Sequence, residues 1–82
     1  MLIGVVGDHD PRNQTHATLD AALAHAGATW EWIPTDAVPA PDLLSARYAG
    51  LWIAPASPYK SMNGVLGAIR VARERGVPLV GT

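Results

Sequence analysis

Hydrophobic positions along the chain follow two spacings, short continuous runs and helical repeats. Four runs rich in β-branched or aromatic residues predict buried strands, and they cover residues 2–6, 29–34, 50–54 and 79–80. In the second run Trp30 and Trp32 fall on one face and Glu31 falls on the other. Unbroken apolar runs are typical of parallel sheets that are covered on both faces.

The first helix is predicted to begin near Asn13 or Gln14, because Asn13 and Thr15 are both good N-terminal caps. Its apolar stripe is formed by residues at helical spacing, which are Leu19, Ala22, Leu23 and Ala26. Gly27 is predicted to end it in the left-handed conformation. A second, shorter helix of one or two turns is expected within residues 42–47.

The third helix is predicted to begin at Asn63 as its cap and to end at Gly76. Its inward face is expected to comprise Val65, Leu66, Ile69 and Ala72. The charged residues Arg70, Arg73, Glu74 and Arg75 are expected to face mostly outward.

The resulting order, β-α-β-α-β-α-β, predicts parallel strands that are joined by right-handed crossovers. No helix follows the last strand, which would leave a central strand half covered. We therefore expect more protein at that strand, on this chain before processing or on another chain. By this expectation the isolated 82 residues aggregate or stay molten, and a cooperative, monomeric melt would contradict it.

Composition restricts the class of protein. The 82 residues, of which 49% are hydrophobic and 16% charged, suit one small globular domain over residues 1–82. The net charge of −1 provides no basic stripe for nucleic acid. Cysteine is absent, and no apolar run approaches the roughly 18 residues of a membrane helix. A soluble cytoplasmic protein that does not bind membranes is the expectation.

Ligands of open parallel sheets bind at the carboxyl ends of the strands, which directs attention to the loops at residues 7–13 and 55–61. In the first loop, Asp8-His9-Asp10 suits either a metal or proton-relay site or a solvated turn whose side chains bond local amides. We favour the turn, because neighbouring residues rarely point at one ion, and we expect no metal or cofactor. His16 and His25 are expected at the surface or its boundary.

The second loop offers two kinds of chemistry. Ser57, Pro58, Tyr59 and Lys60 match the S-x-x-K spacing that places a lysine beside a nucleophilic serine, although the companion motifs are absent. Backbone amides of the same loop are alternatively placed to stabilise an oxyanion. A purely structural, proline-stiffened connection also stays open. Trp30, Trp32 and Trp52 are expected to pack in the core or an interface.

Three stretches resemble one family. "IGVVGDHDPRNQTHATLDAALAHAG", "AGLWIAPASPY" and "GAIRVARERGVPLVGT" resemble the class I glutamine amidotransferase domain of CTP synthase, in particular its stand-alone branch. The second stretch is similar to that family's "DGILVPGGFG" and the third to "AIRYARE…IPFLGI". The likeness touches nearly the whole chain and is most specific over residues 50–82. It implies a flavodoxin-like three-layer α/β fold, of which this chain is the N-terminal half, with four strands in the order 2-1-3-4.

The resemblance also implies a function. In that family the residue after this last stretch is the nucleophilic cysteine, with the catalytic His and Glu farther on. The chain would then be inactive alone and would need a C-terminal segment or a partner chain that begins with Cys. The assembled enzyme would act on a small amide such as glutamine. The family's oxyanion amides correspond to Ala56 and Ser57, and Pro55, Tyr59 and Lys60 would form part of the substrate wall.

This sequence departs from the family pattern at the oxyanion loop. Ala56 and Ser57 stand where the family has glycines, and alanine tolerates positive φ poorly. Pro58 also removes one amide donor. These departures keep open a second interpretation, a pseudoenzyme or interaction module of the same fold. Cleavage of a precursor after Thr82, a simple truncation and a homodimeric assembly are left open as well.

Overall fold

The computed structural model describes residues 2–54 and 59–81. Strands and helices alternate along these residues. They are β1 (Leu2–Val6), α1 (Gln14–His25), β2 (Thr29–Ile33), α2 (Pro41–Arg47), β3 (Gly50–Ile53), α3 (Met62–Arg75) and β4 (Leu79–Gly81). All the strand pairs are parallel, and the sheet order is β2-β1-β3-β4. The predicted α/β class and strand order are confirmed.

The pairing register brings the carboxyl ends of the strands to one edge of the sheet. Val6 of β1 is level with Ile33 of β2 and with Ile53 of β3. Ile53 is in turn level with Gly81 of β4. The connections that follow the strands therefore start side by side, at what we call the carboxyl edge.

The sheet separates two hydrophobic cores, because successive residues of a strand point to opposite faces. Val5 and Val6 of β1 are both fully buried, one in each core. The core beneath α2 and α3 contains Val6, Ile33, Leu44, Tyr48, Leu51, Ile53, Val65, Ala68, Val71 and Ala72. The core beneath α1 contains Val5, Leu19, Leu23 and Ala54, with all three tryptophans packed against it. The helices thus cover both faces of the parallel sheet.

Helix α1 confirms its predicted ends but not its whole predicted stripe. The Asn13 carboxamide oxygen accepts hydrogen bonds from the Thr15 and His16 amides, at 2.9 and 3.3 Å. Gly27 has the left-handed φ of 72° that was expected after the helix. The residues that α1 buries are His16, Leu19 and Leu23, whereas Ala22 and Ala26 are exposed. The helix rests on the sheet by the narrow stripe i, i+3, i+7, so residues 22 and 26 lie to one side of it.

Helix α3 begins two residues earlier than predicted. Its cap is Ser61 rather than Asn63, since Ser61 is extended and its hydroxyl accepts from the Gly64 amide at 3.1 Å. The buried face consists of Val65, Ala68, Val71 and Ala72. Leu66, which was predicted to face inward, is 53% exposed because it lies outside that stripe. Gly76 ends the helix with a φ of 67°, as predicted.

An ion pair connects β2 with the end of α2. Glu31 lies on the face opposite the tryptophans, as expected, and its carboxylate accepts from Nε and Nη2 of Arg47 at 2.7 and 3.1 Å. The Tyr48 hydroxyl donates to the same carboxylate. Hydrogen bonds from Arg47 and Tyr48 lower the pKa of Glu31 to about 2. Glu31 is therefore ionised at neutral pH.

Strand β4 forms one edge of the sheet. Leu79 and Val80 point to opposite faces, and their side chains are 36% and 49% exposed. Exposed apolar residues on an edge strand are a surface that further polypeptide can extend. Among residues 2–54 and 59–81, no helix has both the length and the apolar character that crossing a bilayer requires.

Two glycines of α3 provide a matched test of packing. A Cβ atom on Gly64 would overlap the Thr35 carbonyl oxygen, whereas a Cβ atom on Gly67 meets nothing within 4 Å. We expect Gly64→Ala to lower the free energy of unfolding by about 1–3 kcal/mol, because the Thr35 backbone must move. Gly67→Ala should instead raise it by about 0.5–1 kcal/mol, because alanine is the better helix former. Urea unfolding followed by circular dichroism measures both, and equal effects of the two substitutions would contradict this packing.

Candidate functional site

One carboxylate joins the connections that follow three different strands. Asp8, two residues after β1, accepts at Oδ1 from the Thr35 amide at 3.0 Å. Its Oδ2 accepts from the Thr35 hydroxyl and from the Lys60 amide, both at 2.8 Å. The Thr35 hydroxyl oxygen accepts in turn from the Ser61 amide at 2.9 Å. We call Asp8, Thr35, Lys60 and Ser61 the Asp8 network.

Thr35 is the buried centre of this network. It is 1% exposed, and its hydroxyl both donates to Asp8 and accepts from Ser61. The Ser61 side chain then caps α3 through the Gly64 amide. Gly64 permits the Thr35 carbonyl to lie against the first turn of α3, because any Cβ there would overlap that oxygen. The carboxyl edge is thereby connected to α3 by continuous hydrogen bonds.

The environment keeps Asp8 ionised. Burial acts to raise the pKa of Asp8, but hydrogen bonds from the Lys60 and Thr35 amides and from the Thr35 hydroxyl outweigh it. The pKa of Asp8 therefore lies below its ordinary value. A carboxylate with a lowered pKa and with both oxygens occupied is a weak base, so this arrangement suits a structural anchor rather than a proton acceptor.

Two residues of the predicted substrate wall, Tyr59 and Lys60, lie on the same edge. The Tyr59 hydroxyl donates to the Ala54 carbonyl oxygen at 2.7 Å, and the Ala54 amide donates to Val6 at 3.0 Å. Lys60 is exposed and lines a cleft, whereas Tyr59 is half-buried against the core beneath α3. Pro55, Ala56, Ser57 and Pro58 lie outside the described residues, so the oxyanion and S-x-x-K hypotheses remain predictions.

The cleft has a volume of about 530 Å³ and opens at the ends of β1 and β2. Its lining consists of residues 7–12 together with Trp32, Pro34 and Lys60. Two cationic side chains, Arg12 and Lys60, share this lining with Asp8, Asp10 and an indole. The cleft therefore offers charges of both signs beside an aromatic surface, at the place where parallel sheets bind ligands.

Of the two carboxylates in the Asp8-His9-Asp10 turn, only that of Asp10 bonds to a neighbouring residue in the sequence, as the local-turn prediction required. Asp10 behaves as predicted, since its Oδ1 accepts from the amide and Nε of Arg12 at 2.9 and 3.3 Å. For Asp8 the prediction was wrong, because its partners lie 27 and 52 positions away in the sequence. Tertiary contacts at the carboxyl edge override the local turn. Over the described ranges, no group of three or more His, Asp or Glu side chains is arranged to hold a metal ion.

His16 is buried, in contrast to its predicted surface position. It is 1% exposed, and its Nδ1 accepts from the Asp10 amide at 3.0 Å. The neutral ring then carries its proton on Nε2, and that atom has no hydrogen-bond partner in the part of the chain that the structure describes. The sequence signal was available, since His16 precedes Leu19 and Leu23 by three and seven positions. His25 is exposed, as expected.

Asp20 of α1 holds the two tryptophans of β2. Both indole N–H groups donate to its Oδ1, Trp30 at 2.9 Å and Trp32 at 2.8 Å. His9 Nε2 contacts the other oxygen at 3.1 Å, and its ring lies 4.5 Å from that of Trp32. Burial acts to raise the pKa of Asp20, but these hydrogen bonds outweigh it and lower the pKa. The tryptophans pack as predicted, and their polar anchor was missed because Asp20 lies on a different element.

Comparison with models of protein families, with curated proteins and with solved structures finds no match to this chain.

The Asp8 network gives a pH-dependent prediction. We expect Asp8→Asn to lower the free energy of unfolding at pH 7 by about 1–3 kcal/mol, because hydrogen bonds to a charged group are lost. Since the folded pKa is lowered, this stabilisation is fully present above the unfolded pKa of about 3.9. It is lost as the pH falls through the folded pKa, so the variant and the wild type should converge in acid.

Urea unfolding at several pH values measures this difference. Asp36→Asn serves as the control, because Asp36 is exposed and adjacent to Thr35; its effect should stay within about 0.5 kcal/mol. A difference between Asp8→Asn and wild type that stays constant down to the most acidic pH would contradict the assignment to Asp8 ionisation.

Proposed function

We propose that this chain is the N-terminal half of an amide hydrolase or acyl-transfer enzyme of the class I glutamine amidotransferase type. The observation that supports it best is the register at the carboxyl edge, where Ile53 of β3 is level with Gly81 of β4. Polypeptide that leaves β4 therefore starts beside the connection that follows β3. This is the relation that the family resemblance requires between a nucleophile after the last strand and an oxyanion loop after the third.

In this proposal the nucleophile is a cysteine supplied from beyond Thr82, on the same polypeptide or on a partner chain. Its thiolate attacks the carbonyl carbon of a substrate amide, and a C–S bond forms as negative charge develops on the carbonyl oxygen. The C–N bond then breaks, and ammonia leaves with a proton from a general acid. Water hydrolyses the thioester, which releases the carboxylic acid and restores the thiol.

The connection after β3 is assigned the task of stabilising the developing negative charge. The amides of Ala56 and Ser57 are the proposed donors, and loss of one such donor typically costs about 3 kcal/mol of transition-state stabilisation. The support comes from the residues on either side. Ala54 is fully buried and bonded to β1, and Tyr59 is bonded back to Ala54. Both ends of this short connection are thus fixed to the sheet.

The substrate is proposed to be a small amide such as glutamine, bound beside Tyr59 and Lys60. The Lys60 side chain lines the cleft at the carboxyl edge, together with Arg12 and Trp32. Cationic side chains suit a substrate carboxylate, and the indole suits its aliphatic portion. The proposed reaction requires no cofactor or metal.

A non-catalytic interaction module is the second candidate. It is favoured by β4, whose Leu79 and Val80 are exposed on opposite faces of an edge strand. Such a strand suits pairing with a partner chain. The two candidates differ in whether a thiol acts on an amide.

We expect the protein, expressed with all polypeptide that follows Thr82 and with any partner chain, to release ammonia from glutamine. A glutamine-derived diazoketone should abolish this activity and should add its mass to one cysteine, the residue that follows Thr82. Ammonia release and intact-mass measurement with peptide mapping provide the two readouts. A serine in place of that cysteine is the control and should abolish both.

An active protein labelled at another residue would overturn the assignment of the nucleophile. A folded protein that hydrolyses neither glutamine nor other primary amides would overturn the enzyme proposal and leave the interaction module.

A further inference from the structure

We propose that Asp8 is a positioning residue, whose carboxylate fixes the backbone of the substrate wall at Lys60. This inference rests on the proposed function, since it assigns a task within that site. It is carried by geometry that neither sequence motifs nor the family resemblance indicated. Asp8 and Lys60 are 52 positions apart, yet the Lys60 amide donates to the Asp8 carboxylate at 2.8 Å.

The hydrogen bonds around Asp8 have a fixed direction. The Ser61 amide can only donate, so the Thr35 oxygen accepts from it, and the Thr35 proton is committed to Asp8. The Thr35 and Lys60 amides likewise can only donate. Every partner therefore requires an acceptor at position 8. A carboxylate provides acceptors on both oxygens, whereas an asparagine would turn one NH₂ donor toward another donor.

The Asp8 network contacts the substrate wall through the backbone amide of Lys60. Asp8 holds the Lys60 amide, while the Lys60 side chain is exposed and lines the cleft. The preceding residue, Tyr59, is fixed separately through its hydroxyl on Ala54, and the following one, Ser61, through Thr35. Three consecutive residues are thus anchored at the base of the exposed Lys60 side chain. Small displacements of such groups reduce catalytic rates strongly.

Asp8 acts through Lys60 rather than on the substrate. Its Oδ1 accepts from one donor and its Oδ2 from two, and its pKa is lowered by these bonds. Proton transfer at neutral pH requires a group with a pKa near neutrality. Replacing Asp8 with Asn should therefore lower turnover because the substrate wall is displaced. It should not act by removing a catalytic proton acceptor.

The test compares variants of the protein with its complete polypeptide and any partner chain. Asp8→Asn and Thr35→Val break the network, whereas Thr35→Ser keeps the hydroxyl that both donates and accepts. Glu31→Gln is the matched control, because Glu31 also accepts three hydrogen bonds but lies on β2 facing Arg47 and Tyr48. The kcat and KM for glutamine hydrolysis are measured, together with amide hydrogen exchange at Lys60 and Ser61.

We expect kcat/KM to fall at least tenfold in Asp8→Asn and Thr35→Val, with exchange at Lys60 and Ser61 at least tenfold faster. Thr35→Ser should stay within about threefold of wild type, and Glu31→Gln within about twofold, even where its melting temperature falls. This rescue by serine separates positioning from general loss of stability.

Two outcomes overturn the inference. One is a folded Asp8→Asn protein whose kcat/KM matches that of Glu31→Gln. The other is unchanged exchange at Lys60 and Ser61. An inactive wild-type protein would instead refute the proposed function, and the exchange comparison would then decide alone whether Asp8 fixes this segment.

Discussion

The hydrogen bonds of Asp8 determine how the carboxyl edge is built. In a parallel sheet the connections begin side by side at the carboxyl ends of the strands. The hydrogen bonds of the sheet do not determine the path that each connection then follows. Asp8 does this by accepting from the connection after β2 and from the connection after β3. Because Thr35 is buried and bonded to Ser61, the same contacts also fix the start of α3. The cleft, residues 59–61 and the first turn of that helix therefore share one anchor.

The two faces of the sheet contribute differently to this edge. On the side of α2 and α3, a large apolar core positions α3 and hence the residues that precede it. On the side of α1 the core is smaller. Polar contacts complete it, because the Asp20 carboxylate accepts hydrogen bonds from both indoles of β2. His9 and Trp32 belong to this second layer and also line the cleft. A ligand at the carboxyl edge would thus touch residues that are fixed by both layers.

Local chemistry in the sequence accounts for the elements but not for the site. Asn13 marks a helix start through its side-chain oxygen, and Gly27 and Gly76 mark helix ends through their left-handed backbone. Continuous apolar runs mark the parallel strands, so these predictions are confirmed. The partners of Asp8 lie on other elements, and no local pattern encodes a contact across 52 positions. Helical periodicity could have predicted the burial of His16, but its polar side chain favoured a surface position instead. Ser61 replaced Asn63 as the cap because the Asp8 network fixes its backbone in an extended conformation.

The absence of a side chain at Gly64 couples the evolution of two distant segments, the connection after β2 and the first turn of α3. Residue 64 can acquire a Cβ only if the Thr35 carbonyl withdraws, and the amide of that same threonine is bonded to Asp8. Substitutions, insertions or deletions that displace the Thr35 carbonyl therefore change the space available to residue 64 in the first turn of α3. In related chains we expect these two segments to diverge together or not at all, as a single unit of evolutionary change.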